Sequence, residues 1–160
     1  MREPLPAAGY LFVSDTDTEV VAHLIPSYWK QGAEPFAAVQ SAVAELRGAY
    51  AIAVLSEKSP DMLVVARKGA PLLLGLGEGE NFAASDASAL LQVTRKIIYL
   101  EEGDVAQIGR DSIRICDGAG NEVVRPAHES TLSADAVELG PYRHYMQKEI
   151  FEQPRAIGDK

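Results

Sequence analysis

The sequence predicts an α+β fold, and three observations predict it. Apolar residues recur at helical spacing across residues 20–46. From residue 49 they fall instead into short runs bounded by Gly, Pro, Asn and Asp, the pattern of strands and turns. Helical and strand patterns are thus segregated along the chain, which favours α+β layering over an alternating βαβ sheet. With 160 residues, 47% of them hydrophobic and 24% charged, the composition is that of one globular domain with a sizeable core.

Leu11-Phe12-Val13 follows Gly9 and reads as a short buried strand. Thr16 and Glu19 then have the spacing of a capping box, and Asp17 falls in the first turn, where negative charge suits the helix dipole. The helix that follows carries Val20, Val21, Leu24, Ile25 and Tyr28 on one face. Pro26 is expected to kink or end it, and Gly32 to close the segment. A second helix opens at Pro35, carries Phe36, Val39, Val43 and Leu46, and stops at Gly48.

Residues 49–55 and 62–66 form a hairpin around the turn chemistry of Ser59-Pro60-Asp61. Residues 72–76 and 81–84 are joined by the glycine-rich Gly75-Leu76-Gly77-Glu78-Gly79. A short helix over 86–93 is capped by Asp86. Strands follow at 96–100, 105–108 and 112–116, with turns at Glu101-Glu102-Gly103-Asp104 and Asp117-Gly118-Ala119-Gly120. Residues 127–140 are polar and read as a loop, and residues 142–157 turn helical.

Fifteen basic residues against 23 acidic ones give a net charge of −8, which argues against nucleic acid and against an anionic membrane surface. No apolar run approaches the roughly 20 residues of a membrane span. Residues 1–8 lack the apolar stretch of a signal peptide, and the single Cys116 allows no intrachain disulfide, so the cytoplasm is the expected compartment.

Motifs alone supply little chemistry. His23, His128 and His144 have no metal-ligand spacing, so no metal site is expected, and each is read as a surface or capping residue. Cys116 reads as a small buried hydrophobe in a strand. The 75–79 glycines lack phosphate-loop spacing and read as a hairpin. Glu101-Glu102-Gly103-Asp104 reads as an exposed turn rather than a carboxylate cluster. Ser14-Asp15-Thr16-Asp17-Thr18-Glu19 holds three hydroxyls and three carboxylates at a strand-to-helix junction. Capping explains Thr16 and Glu19. A carboxylate held rigidly there could also bind an ammonium group.

Six ordered blocks resemble one family. Residues 14–24, Ser-Asp-Thr-Asp-Thr-Glu-Val-Val-Ala-His-Leu, resemble the S-[DE]-T-D-T-E-V-[IV]-A-H-L block of glutamine–fructose-6-phosphate aminotransferases. Leu46-Arg47-Gly48-Ala49-Tyr50-Ala51 resembles their L-x-G-A-Y-A, and residues 66–72 their A-R-x-G-S-P-L. Residues 75–86 are similar to G-L-G-x-x-E-N-F-x-A-S-D, and residues 99–104 to [YF]-L-E-E-G-D. The last block, residues 142–154, resembles the segment joining the glutaminase domain to the isomerase domain.

The resemblance implies a partial N-terminal-nucleophile hydrolase fold, a four-layer αββα sandwich. It implies a parent enzyme that hydrolyses glutamine with an N-terminal cysteine activated by its own α-amine. Ammonia would pass to a sugar-isomerase half that makes glucosamine 6-phosphate from fructose 6-phosphate, with no metal or organic cofactor. A homodimer is implied for the parent. Asp17 matches the aspartate that pairs with the α-ammonium of glutamine. Arg143, His144, Tyr145, Lys148 and Glu149 fall in the interdomain block and are expected to contact the isomerase half. The expected division is residues 1–140 as the C-terminal portion of the glutaminase domain and residues 141–160 as the start of the linker helix.

The departures are specific. The chain opens Met1-Arg2 rather than with the family's Cys-Gly-Ile, so no catalytic residue is assigned. The H-N-G-I-I-E-N block of the oxyanion hole and the arginine loop that holds the glutamine carboxylate are absent. Pro4, Pro6 and Pro26 stand where the family keeps helix. The expectation is a piece lacking the leading glutaminase segment and the isomerase half. It should be inactive alone and prone to aggregate through an unpaired sheet edge. The alternatives are a non-catalytic binding module derived from a glutaminase domain, or part of another type-2 amidotransferase.

Overall fold

The structure is a computed structural model describing residues 10–30, 32–131 and 139–158. Expectations for residues 1–9 and 132–138 lie outside the described residues. The chain divides into two compact units, Met1–Ser130 and Thr131–Lys160.

The fold is α+β, with sheets that are antiparallel throughout. Among the described residues of the first unit, helices α1 (Asp17–Lys30) and α2 (Pro35–Glu45) precede nine strands. β1 (Tyr50–Ser56), β2 (Ser59–Lys68), β6 (Val105–Ile108), β7 (Ile113–Cys116) and β8 (Glu122–Val123) form one sheet in the order β1-β2-β6-β7-β8. β4 (Asn81–Ala84), β3 (Leu73–Leu76), β5 (Lys96–Tyr99) and β9 (Ala127–Glu129) form the second, in the order β4-β3-β5-β9.

The alternation of side chains along each strand assigns the layers. Val64, Ala66, Val105 and Cys116 face the helices, where Leu24, Ile25, Phe36, Val39 and Ala42 meet them. Their sequence neighbours Val65, Ala106 and Ile115 point the other way and pack on Leu74 and Ile98 of the second sheet and on Leu72 and Leu100 flanking its strands. The far face of that sheet carries Leu73 and Ile97 beneath Ala87 and Leu90 of a 3-10 turn, Ala87–Leu90. Strands covered on both faces read as continuous apolar runs, which is why these were visible in the sequence. Ala38 and Ala42, both fully buried one turn apart, let α2 lie close to the sheet.

Several expectations are corrected. Residues 11–13 form no strand: Leu11 and Val13 are 79% and 85% exposed, and the Val13 N–H is taken by the Glu19 carboxylate instead of a ladder. Pro26 does not end α1, which runs on to Lys30. Leu24 and Ile25 are buried just before the proline, and packing holds the helix on the core where propensity would break it. Gly32, at φ +90°, closes the segment as expected, its N–H bonding the Trp29 carbonyl. α2 ends at Glu45, and Gly48, at φ +97°, serves the turn into β1.

The β1–β2 turn is Glu57-Lys58, and Ser59-Pro60-Asp61 belong to β2. Ladder pairing jumps from Ser56↔Ser59 to Leu55↔Leu63, and β6 pairs with β2 only from Leu63. Pro60 therefore lies beside an irregular stretch of the ladder, where its missing N–H is tolerated. Residues 127–129, read as loop, are β9. All three are exposed at a sheet edge and carry no alternation to read.

In the second unit, α3 (Tyr145–Gly158) starts three residues later than expected. The rings of Tyr142 and Phe151 stack at 5.9 Å, and the side chain of Gln147 accepts the Arg143 N–H at 3.2 Å.

Candidate functional site

Asp17 is the first residue of α1, and its carboxylate is exposed. It lines a cleft of about 1170 Å³ with Thr18, Val20 and Val21. Glu45 at the end of α2, Leu46 and Arg47 after it, Tyr50 and Ile52 of β1, and Lys68 of β2 line it further. Among the described residues, the Asp17 carboxylate has one contact, the Thr18 hydroxyl at 3.4 Å. It is thus a free acceptor at a helix N-terminus beside the open edge of a sheet.

The backbone before Asp17 is tied down more firmly than a capping box would tie it. Glu19 reaches past Thr16 and accepts the N–H groups of Val13 and Ser14, each at 2.8 Å, and the Ser14 hydroxyl at 2.6 Å. The expected box, Glu19 to the Thr16 N–H, is not formed. Ser14 Oγ accepts that N–H at 3.3 Å. The Ser14 hydroxyl and these backbone donors hold the Glu19 carboxyl at about 2, against an ordinary 4.5.

His23, one turn on, stands 3.6 Å from the Glu19 carboxylate and packs between the rings of Tyr10 and Phe12. It is half-buried, 23% exposed, where a surface or capping residue was expected.

Cys116 is 2% exposed on β7 and faces the helix-side core, as a structural thiol would. Glu101 and Glu102 are exposed as expected, but Asp104 is fully buried. Arg125, between β8 and β9, grips Asp104 with two bonds of 2.9 and 2.8 Å and reaches Glu101 at 2.9 Å. Beside it, Arg67 bonds the Leu100 carbonyl at 2.8 Å, and Glu102 accepts the Gly69 N–H at 3.0 Å. The A-R-x-G and L-E-E-G-D resemblances thus coincide with a scaffold joint. Its far partner, Arg125, is 21 residues from Asp104 and has no local signal in the sequence.

A second cavity of about 560 Å³ lies between α2 and this joint, lined by Gln40, Ser41, Tyr50, Lys68, Glu102 and the 117–120 turn. Burial, reinforced by Glu102, pushes the Tyr50 phenol up.

In the second unit, Arg143 and His144 precede α3 and are exposed, as are Tyr145 and Glu149, while Lys148 is buried. Met146, Ile150 and Phe151 add exposed apolar surface to this helix. Among the described residues, no group of three or more His, Cys, Asp or Glu could hold a metal ion. No helix there is long and apolar enough to cross a membrane.

Helices over two antiparallel sheets, with an exposed carboxylate at a helix start beside the sheet edge, define a class that sequence comparison makes definite. Residues 1–92 match the glutamine amidotransferase domain, and the chain belongs to that family. It is 56% identical over 159 residues to the glutamine–fructose-6-phosphate aminotransferase (isomerizing) of Acidithiobacillus ferridurans. It is 54% identical over 158 residues to that of Xanthomonas campestris pv. campestris, and 56% identical over 157 residues to that of Escherichia coli. These matches cover 98–99% of this chain and 26% of each relative, so the chain spans about a quarter of their length.

Proposed function

We propose that the chain is part of the glutaminase half of a glutamine–fructose-6-phosphate aminotransferase, and that Asp17 binds the α-ammonium of glutamine. The whole protein would hydrolyse glutamine and pass ammonia to fructose 6-phosphate, giving glucosamine 6-phosphate. The observation that carries this reading is the Asp17 carboxylate, exposed in a cleft and, among the described residues, contacted by the Thr18 hydroxyl alone. A carboxylate so placed can give both oxygens to an ammonium group in a charge-assisted pair. The identity of 54–56% to enzymes of that name supports the choice of reaction.

On this reading the covalent chemistry belongs to an N-terminal cysteine supplied from outside these 160 residues. Cys116 is buried in the core and does not replace it, so the chain alone is inactive. The surface around Arg143, His144, Tyr145, Lys148 and Glu149 would meet the isomerase half, and the exposed Tyr145, Met146, Ile150 and Phe151 suit such a contact. The whole enzyme would be a cytoplasmic homodimer, a compartment in keeping with the charge of −8 and the single thiol.

Glutaminase assays test the reading with two proteins: the 160-residue chain, and a chimera in which it replaces the matching 157-residue stretch of the Escherichia coli relative. The chimera should release ammonia and the chain alone should not. Ammonia release by the chain alone that survives Cys116→Ala would overturn it.

A further inference from the structure

We propose that Ser14 and Glu19 are positioning residues for Asp17, fixing its carboxylate for ammonium recognition through the backbone of Thr16. The inference rests on the reading of Asp17 given above.

The direction of each hydrogen bond can be worked out. A carboxylate only accepts, so the Ser14 hydroxyl spends its single proton on Glu19 Oε2, 2.6 Å away. Ser14 Oγ must then accept in its 2.8 Å contact with Thr16 Oγ1, which makes the Thr16 hydroxyl the donor. The same oxygen accepts the Thr16 N–H at 3.3 Å. Ser14 thus holds Thr16 by both backbone and side chain. Glu19, through the N–H groups of Val13 and Ser14, holds Ser14 on the first turn of α1.

Thr16 is the residue that sets how the chain enters the helix at Asp17. Among the described residues, the Asp17 carboxylate has nothing but a long contact to Thr18 to orient it. Its placement is therefore inherited from the backbone, and the backbone is held by the Ser14–Glu19 pair. Released from that pair, the Ser-Asp-Thr segment has other local hydrogen-bonded conformations open to it. Binding an ammonium group would then have to order the segment as well.

The chimera provides the test, with glutamine KM and kcat measured separately. Ser14→Ala should raise the glutamine KM about tenfold, the cost of one charge-assisted hydrogen bond, and leave kcat within about twofold. Ser14→Thr, which keeps the hydroxyl, should restore KM. If Asp17→Asn raises KM but Ser14→Ala does not, the positioning role falls and the reading of Asp17 stands. If Asp17→Asn leaves KM unchanged, both fall. Amide hydrogen exchange on the 160-residue chain gives a readout independent of activity. The Val13 and Ser14 amides should be protected, and Glu19→Gln should expose them. Exchange of both at unstructured rates in the unsubstituted chain would overturn the proposal.

Discussion

Arg125 closes on Asp104 with two parallel bonds of 2.9 and 2.8 Å, and it does so where the aspartate is wholly shielded from water. Asp104 sits in the turn from β5 to β6 and Arg125 in the link from β8 to β9. Each of those links crosses from one sheet to the other, so this single ion pair ties both crossings together.

Removing either partner should therefore be costly. Arg125→Ala leaves the buried Asp104 charge without its counter-ion, an effect of about 3–5 kcal/mol when the pair is buried, whereas Asp104→Ala leaves Arg125 its contact with Glu101 and should cost less. Arg125→Lys should recover little, because an ammonium cannot reproduce the two-armed geometry. Urea denaturation of the 160-residue chain measures this directly as a fall in the transition midpoint.

Glu19 predicts an acid-sensitive component of stability. Its carboxyl is held at about 2 in the fold against 4.5 ordinarily, so the folded state favours the charged form. The contribution is fully present above about pH 4.5 and is lost as pH falls from there towards 2. Asp86 and Asp117, both lowered by local hydrogen bonds, add in the same sense. The stability difference between the unsubstituted chain and Glu19→Gln should be largest near neutral pH and shrink through that window. A difference independent of pH would show that the Glu19 charge is not what holds residues 13 and 14.

Strand β1 is an apolar edge. Its seven residues carry no charge, Leu55 is 71% exposed, and Ala51 and Ala53 are exposed beside it. A single Ala53→Lys should suppress self-association at high concentration while leaving the urea midpoint nearly unchanged. Light scattering against concentration compares the two chains.

These features differ in how far the sequence discloses them. Val64 and Val65 disclose their opposite faces by alternation alone, because each meets a full apolar layer. Residues 127–129 disclose nothing, since a polar edge strand is held by ladder bonds and not by a buried face. Leu11 and Val13 mislead because their apolar character is left exposed when Glu19 takes the local backbone donors. At the site, Asp17 stands out through resemblance to known motifs, while its spacing alone favours a helix-capping segment over a ligand site. The Ser14–Glu19 tie was hidden because a capping box and a longer reach-back share the same residues and differ only in which N–H is accepted.

Asp17 serves either a substrate or only a helix, and the two roles respond differently to substitution. The deciding measurement is the glutamine KM of the chimera carrying Asp17→Asn, set beside the urea midpoint of the 160-residue chain with the same substitution. A substrate-binding role gives a KM raised at least about tenfold, as expected for loss of a charge-assisted pair, with the midpoint little changed. An unchanged KM with a lowered midpoint would contradict it and leave Asp17 as a capping residue.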